Sequence, residues 1–291
     1  SFWRAIQTID SDNLSIGFER ETGLLTLRTR DPKMLDGVSA IDRAFRIDAS
    51  ALTRRTVGVD EGTLLSSQLR ILCEPRLRPL FLKYETSDFQ LTQDEGRRTL
   101  GPFNAGASIE VPLGNGCREA ALSLSFLSKE SLAESASLIG KVNLLVAASE
   151  QPVSFRGLDR AKRVSRRRGG VTVTINEVVL EGSMPEHYTA RIQLRVNYDL
   201  GTDAFESHQT WVFHNRVYLV DPAGKQHGPN GGFSTLFQGN GSVGIEYTFD
   251  DLPTDPANWE FVYVAPTLLI NVEIPIDLRD IPVASSVSNP E

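Results

Sequence analysis

The stretch Arg191-Ile-Gln-Leu-Arg-Val-Asn-Tyr198 decides the fold class. Ile192, Leu194, Val196 and Tyr198 alternate with Arg191, Gln193, Arg195 and Asn197. A period of two puts each set on its own face of an extended strand. Val171, Val173 and Ile175 alternate in the same way with Thr172, Thr174 and Asn176, as do Leu122, Leu124 and Phe126 with Ser123 and Ser125. Further strand-like runs at 14–18, 24–27, 64–72, 80–84, 109–111, 211–220, 243–249 and 259–264 are mostly separated by Gly, Pro, Asn or Asp, residues that turn a chain between strands. Helical periodicity is scarce. Residues 128–138 are expected to form one or two helical turns, and 31–38 another short piece with Asp31 as cap and Pro32 at the first helical position. Strands alternating with long helices are absent, which argues against a doubly wound parallel sheet. An all-β chain of antiparallel β-sandwiches with little helix is the expectation.

The chain has 291 residues, with 30 Lys+Arg against 37 Asp+Glu, and its length favours two domains. Hydrophobic residues at 40% and charged residues at 23% exclude a disordered or fibrous chain. A net charge of −7 argues against nucleic acid as a general partner. No apolar run reaches the roughly 18–20 residues that span a bilayer, and the first residues lack a secretory pattern. The chain starts at Ser1 rather than Met, which is expected either of a trimmed chain or of a processed product, and both readings leave room for an address or anchor upstream.

A boundary is expected near 152–168, dividing the chain into 1–152 and 153–291. Seven cations crowd between Arg156 and Arg168, just before Gly169-Gly170. Residues 1–152 hold 18 basic and 20 acidic side chains, and past Arg168 only five cations remain against 16 acids. The basic run is read as a linker or as the first strand of the second domain, lying in solvent or along an acidic surface. Its aromatic content is too low for base stacking. A faint repeat, Leu80–Leu82 then Ile109–Val111 against Val217–Leu219 then Ile245–Tyr247, favours two domains of related topology.

Candidate sites carry little chemistry. Cys73 and Cys117 are too few for a closed zinc site and are not a CxxC pair. A disulfide between them and two unrelated buried thiols are both open readings. Asp221-Pro222-Ala223-Gly224-Lys225 reads as a turn, and the glycines of 227–232 lack the order of a phosphate loop. His208 and His214 would lie about 20 Å apart on one strand, too far to share an ion. On that strand Trp211 and Phe213 face a core, and the histidines face solvent. His187 and His227 fall in expected turns. No Gly-x-Ser-x-Gly elbow is present. Asp199, Asp203 and Glu206 are candidates for a carboxylate pair of a β-rich hydrolase. These acids, or Asp250, Asp251 and Asp255 near Trp259, supply the oxygen ligands of a calcium-site reading.

In the C-terminal half, Val171-Thr-Val-Thr-Ile-Asn-Glu-Val178, the strand through Tyr198, Val217-Tyr-Leu-Val-Asp-Pro-Ala-Gly224 and Phe261-Val-Tyr-Val264 follow one another. This series, covering about 165–276, resembles immunoglobulin-like accessory domains of uncharacterised exported bacterial proteins. No Trp lies between Cys73 and Cys117, so the antibody signature is missing. The resemblance implies two tandem immunoglobulin-like β-sandwich domains in an extracytoplasmic bacterial protein. It brings no catalytic, cofactor or metal residues. The expected role is a non-catalytic structural or protein-interaction module that meets another protein or a cell-surface component. A β-rich hydrolase, or a calcium- or carbohydrate-binding module, is the alternative.

Overall fold

A computed structural model describes residues 2–9, 14–19, 24–29, 37–57, 62–93, 96–113, 118–184, 187–199, 210–239 and 241–284. These residues are overwhelmingly in strands. One helix, α1 (Phe2–Ile9), precedes β1 (Leu14–Phe18), β2 (Leu25–Thr29), β3 (Val38–Asp42), β4 (Phe45–Ala49), β5 (Thr53–Thr56) and β6 (Thr63–Cys73). Next come β7 (Arg78–Glu85), β8 (Gln90–Gln93), β9 (Arg98–Leu100), β10 (Ser108–Pro112), β11 (Glu119–Ser128) and β12 (Ser135–Arg156). The chain continues through β13 (Val164–Arg168), β14 (Val171–Met184), β15 (His187–Tyr198), β16 (Val217–Val220), β17 (Gln226–His227), β18 (Phe233–Gly239), β19 (Ser242–Leu252) and β20 (Glu260–Pro282). The sheets are antiparallel, as expected from the short turns. A parallel bridge joins Leu52 to Val283.

Two compact units emerge. Unit 1 is Ser1–Val146 with Asn271–Glu291, and unit 2 is Ala147–Ile270. The chain therefore leaves unit 1 inside β12 and re-enters it inside β20. This division falls six residues before the one expected at 152/153, and the end of the chain belongs to the first unit rather than the second. The physical reason is the period-two stretch Ile274, Ile276 and Leu278, whose side chains are buried in the unit 1 core.

In unit 1, β11-β6-β4-β3 form one sheet with β5 also on β6, and β10-β7-β12 lie in order with β8 on β12 and β9 on β8. The register of β11 on β6 places Leu122 opposite Leu69 and Leu124 opposite Ser67. Leu65, Leu69 and Ile71 share the core with Phe126, Leu82, Phe89 and Leu138. Each such buried side chain contributes roughly 1.5–3 kcal/mol from apolar burial. The α1 residue Trp3 is fully buried, donates its indole N–H to the Ala44 carbonyl at 2.9 Å, and packs with Ile16, Phe18 and Leu72.

Two helical expectations change here. Residues 31–36 lie outside the described residues, and Val38 opens β3. Residues 128–138 do not form a helix: β11 ends at Ser128 and β12 begins at Ser135. Leu138 pairs with Leu91 of β8. Burial of Leu138 from an extended backbone outweighs the weak helical preference of the Ala/Ser/Glu segment.

In unit 2, five strands run β13-β14-β15-β19-β18, and β20-β16-β17 form a second group. Val173 opposes Val196 and Ile175 opposes Leu194, then Leu194 opposes Ile245 and Val196 opposes Val243. All six are buried, giving one apolar sheet face. Phe249 of β19 meets Phe261 of β20 edge to face, with ring centroids 6.3 Å apart. Residues 210–214 form a 3-10 turn rather than the first part of a strand. That turn still buries Trp211, whose ring packs at 5.2 Å against Tyr198. The faint internal repeat does not carry through. β7 and β10 pair directly, whereas β16 pairs with β17 and β20 while β19 pairs with β15 and β18.

Candidate functional site

Any open sheet ends in two strands whose outer N–H and C=O groups lack partners, and these edges are where another chain can add. In the unit 2 sheet the edges are β13 and β18. They differ in chemistry. Formation of β13 follows from Gly169-Gly170, a two-residue turn with φ of 51° and 80°, which sends the chain directly back as β14. A Cβ on Gly169 would also lie 2.7 Å from the Thr267 side chain, so the turn needs glycine for space as well as for its backbone. The last part of the basic run, Val164–Arg168, is thus an edge strand, while Arg156 ends β12 and Arg160 lies in a 3-10 turn.

Residues directly opposite on antiparallel strands share a face. Val164 opposes Ile175, Arg166 opposes Val173 and Arg168 opposes Val171. Arg166 and Arg168 therefore sit on the core-facing side of the edge, and Ser165 and Arg167 on the other. Ser165 and Thr174 share a hydroxyl hydrogen bond at 2.8 Å, and Arg167 pairs with Asp199. The Arg166 guanidinium lies over the buried Phe155 ring, 5.6 Å from its centroid. A cleft of about 310 Å³ is lined by Pro152, Val153 and Ser154 together with Arg166, Arg167 and Arg168. Charged side chains along an edge are one way natural sheets discourage strand addition, and β13, exposed at every residue, carries three arginines.

The opposite edge has no such charge. Phe233-Ser-Thr-Leu-Phe-Gln-Gly239 contains no charged residue and no proline, and all seven residues are exposed. Phe233 stacks on Phe213 at 5.2 Å with rings 9° from parallel, and its other neighbour is Tyr247. Phe237 lies across Gly244, where a Cβ would meet its ring at 2.3 Å, and beneath the Arg195 guanidinium. Leu236 falls at a bulge in the β18–β19 ladder and is 44% exposed.

The acid and histidine candidates are occupied by local structure. Asp221 accepts the Ala223 and Lys225 backbone N–H groups, both at 2.9 Å, and lies 3.1 Å from His227 Nε2. The His227 hydrogen bond is the main cause holding the Asp221 carboxyl below its ordinary range, with the backbone donors adding to it against desolvation. The His227 ring also lies 4.8 Å from that of Trp259. Asp250 accepts from Thr189, Asp251 meets His187 at 3.3 Å, and Asp255 caps the turn at Ala257. Among the described residues no three His, Cys, Asp or Glu side chains converge as metal ligands would. Asp203, Glu206, His208 and Cys117 lie outside the described residues. His214 is exposed at the end of its 3-10 turn. Cys73 is a buried free thiol, and burial pushes its pKa up to about 12.

No family, curated protein or solved structure matches this chain. What the molecule offers a partner has therefore to be read from its own surface.

Reasoning from sequence missed β18, although a signal was present. Asn240-Gly241, the strongest short hairpin signal, stands between Gly239 and Ser242 and joins Phe233-Ser-Thr-Leu-Phe to the strand beginning at Val243. In the sequence Arg166 and Arg168 stand out only as members of a charge run. Their placement on one side of an edge follows from the Gly169-Gly170 turn and the count of two.

Proposed function

We propose that the chain is a non-catalytic structural or protein-interaction module, and that unit 2 engages its partner by strand addition at β18. The observation that carries this reading is the contrast between the two edges of one sheet. Both edges are exposed along their length, but one carries three arginines and the other is uncharged and proline-free. Main-chain hydrogen bonds supply affinity in strand addition, while side chains such as Leu236 select the partner. The partner of fitting chemistry is an extended, uncharged strand, and a second copy of this chain carries one in β18 itself. Two copies related by a two-fold axis would pair β18 with β18 antiparallel, with no like charges meeting along the seam despite a net charge of −7 on each chain.

The resemblance to tandem immunoglobulin-like domains belongs to the same proposal. It is supported by the antiparallel pairing throughout unit 2 and by the Phe249–Phe261 contact between strands of different groups. An exported bacterial origin follows from that resemblance alone.

Sedimentation velocity over a concentration series, with hydrogen exchange read on the 233–239 amides, tests the edge. The expected result is reversible association accompanied by protection of β18, both lost in Leu236→Lys. A chain that stays monomeric into the hundreds of micromolar, or an association that survives Leu236→Lys with β18 unprotected, rejects the assignment.

A further inference from the structure

Seven cations lie between Arg156 and Arg168, and their partners divide them sharply. Arg156 pairs with Glu260, Arg160 with Asp159, Lys162 with Glu177 and Arg167 with Asp199. Arg163, Arg166 and Arg168 have no carboxylate partner among the described residues. Arg163 stands apart from the strand at a turn, with φ of 56°. The other two line the cleft. In a chain whose remaining residues past Arg168 hold 16 acids against five cations, two unneutralised guanidinium groups at one cleft form a local positive site.

We propose that this cleft binds a small ligand carrying two anionic groups, held by Arg166 and Arg168. Alternate residues of a strand recur about 7 Å apart on one side, so the two side chains start from neighbouring positions and can converge on one ligand. A guanidinium stacked on an aromatic face keeps its in-plane N–H donors available, and it presents them as a planar fork that matches an oxyanion. The Arg166 guanidinium lies over the Phe155 ring, 5.6 Å from its centroid. Pro152, Val153 and Ser154 of β12 line the cleft with the β13 arginines. A volume of about 310 Å³ lies at the lower end of small-molecule sites, which suits a compact dianion. Nucleic acid does not fit, because Phe155 is buried and its accessible face is taken by Arg166.

Phosphate and carboxylate sources share this chemistry, and the test separates them. Titration calorimetry of the whole chain in a low-salt chloride buffer would use inorganic pyrophosphate in one arm and glutarate in the other. One-site saturation in the millimolar range or tighter is expected with at least one probe, and the tighter of the two names the anionic group. Arg166→Gln and Arg168→Gln should each weaken that binding at least tenfold. Arg168→Lys, which retains the charge but not the fork, should also weaken it. Arg279→Gln, at an exposed surface pair with Asp277, should leave it unchanged. No saturation by either probe at 20 mM, or equal weakening by Arg279→Gln, overturns the proposal. Binding that survives both cleft substitutions does so as well. Circular dichroism of each variant confirms that a lost signal reflects the side chain and not the fold.

Discussion

Replacing Gly140 by Ala is expected to destabilise unit 1, against the usual sign for this substitution. Glycine within a strand is ordinarily costly, and Gly→Ala at a compatible backbone position stabilises by about 0.4–1 kcal/mol. Gly140 does not have a positive φ, so its backbone accepts alanine. The obstacle is Phe89. A Cβ at 140 would lie 2.5, 2.9 and 3.0 Å from three carbons of the Phe89 ring, whereas carbon atoms rest about 3.5–4.0 Å apart. The ring would need to retreat by about 1 Å, yet Phe89 is fully buried and packs edge to face on Tyr84 at 5.6 Å. Overfilling a packed core costs about 1–3 kcal/mol, so the net expectation is a loss of about 1–2 kcal/mol. Native-state hydrogen exchange read on peptides from β8 and the first half of β12 measures this locally and does not require the two units to unfold together. The double variant Gly140→Ala/Phe89→Leu isolates the cause, because the two losses should be less than additive by at least 1 kcal/mol. Slower exchange in Gly140→Ala, or strict additivity in the double variant, would refute the packing reasoning.

Three further outcomes follow from single positions. With its pKa pushed up to about 12 by burial, Cys73 should be ionised in only about one molecule in ten thousand at pH 8. In a Cys117→Ser background it should resist a disulfide reagent until denaturant is added, and rapid labelling of the native protein would contradict this. Leu268 holds a φ of 52° with its side chain 62% exposed, so Leu268→Asn should stabilise unit 2 by about 0.5–1 kcal/mol in urea titration, since asparagine tolerates that conformation and little packing is lost. The lowered Asp221 pKa means the folded state favours the carboxylate, so its contribution is present above the ordinary value of 3.8 and lost as pH falls below it. The Tm deficit of Asp221→Asn should therefore be full at pH values above 3.8 and shrink only as the pH falls below that value; a deficit that grows below pH 3.8 would show the sign to be wrong.

Alternation was legible wherever both faces of a strand have opposite tasks. The 191–198 stretch is core on one side and solvent on the other, and its period survives unchanged in the β15 register. Residues 128–138 misled because two leucines among Ala, Ser and Glu fit either period, and only pairing with a distant strand settles the matter. The 211–214 segment misled for the converse reason: Trp211 is buried as expected, but a 3-10 turn delivers it. Unit 1's recovery of its last strand was hidden from local reading, since nothing in Ile274-Pro-Ile-Asp-Leu278 records which core those side chains enter. The cleft lay deeper still. Its seven cations were visible in composition, but which of them find acids depends on Glu260, Glu177 and Asp199, and these come together only in the fold.

The two edges of the unit 2 sheet meet one physical problem in opposite ways, and the difference makes their roles separable. At β13 the side chains that deter an added strand include Arg166 and Arg168, which have no carboxylate partner among the described residues, so the deterrent also supplies the donors for an anion. At β18 nothing charged interferes, and the aromatic side chains are turned onto neighbours, Phe233 onto Phe213 and Phe237 onto Gly244, leaving the outer backbone free to pair. Three strands, β14, β15 and β19, stand between the edges. A substitution at one edge therefore leaves the hydrogen-bond ladder of the other in place. Leu236→Lys should abolish association while pyrophosphate or glutarate still titrates, and Arg168→Gln should abolish anion binding while β18 remains protected at high concentration. Loss of both activities from either change would mean that the sheet acts as one switch, and the assignment of independent roles to its edges would have to be abandoned.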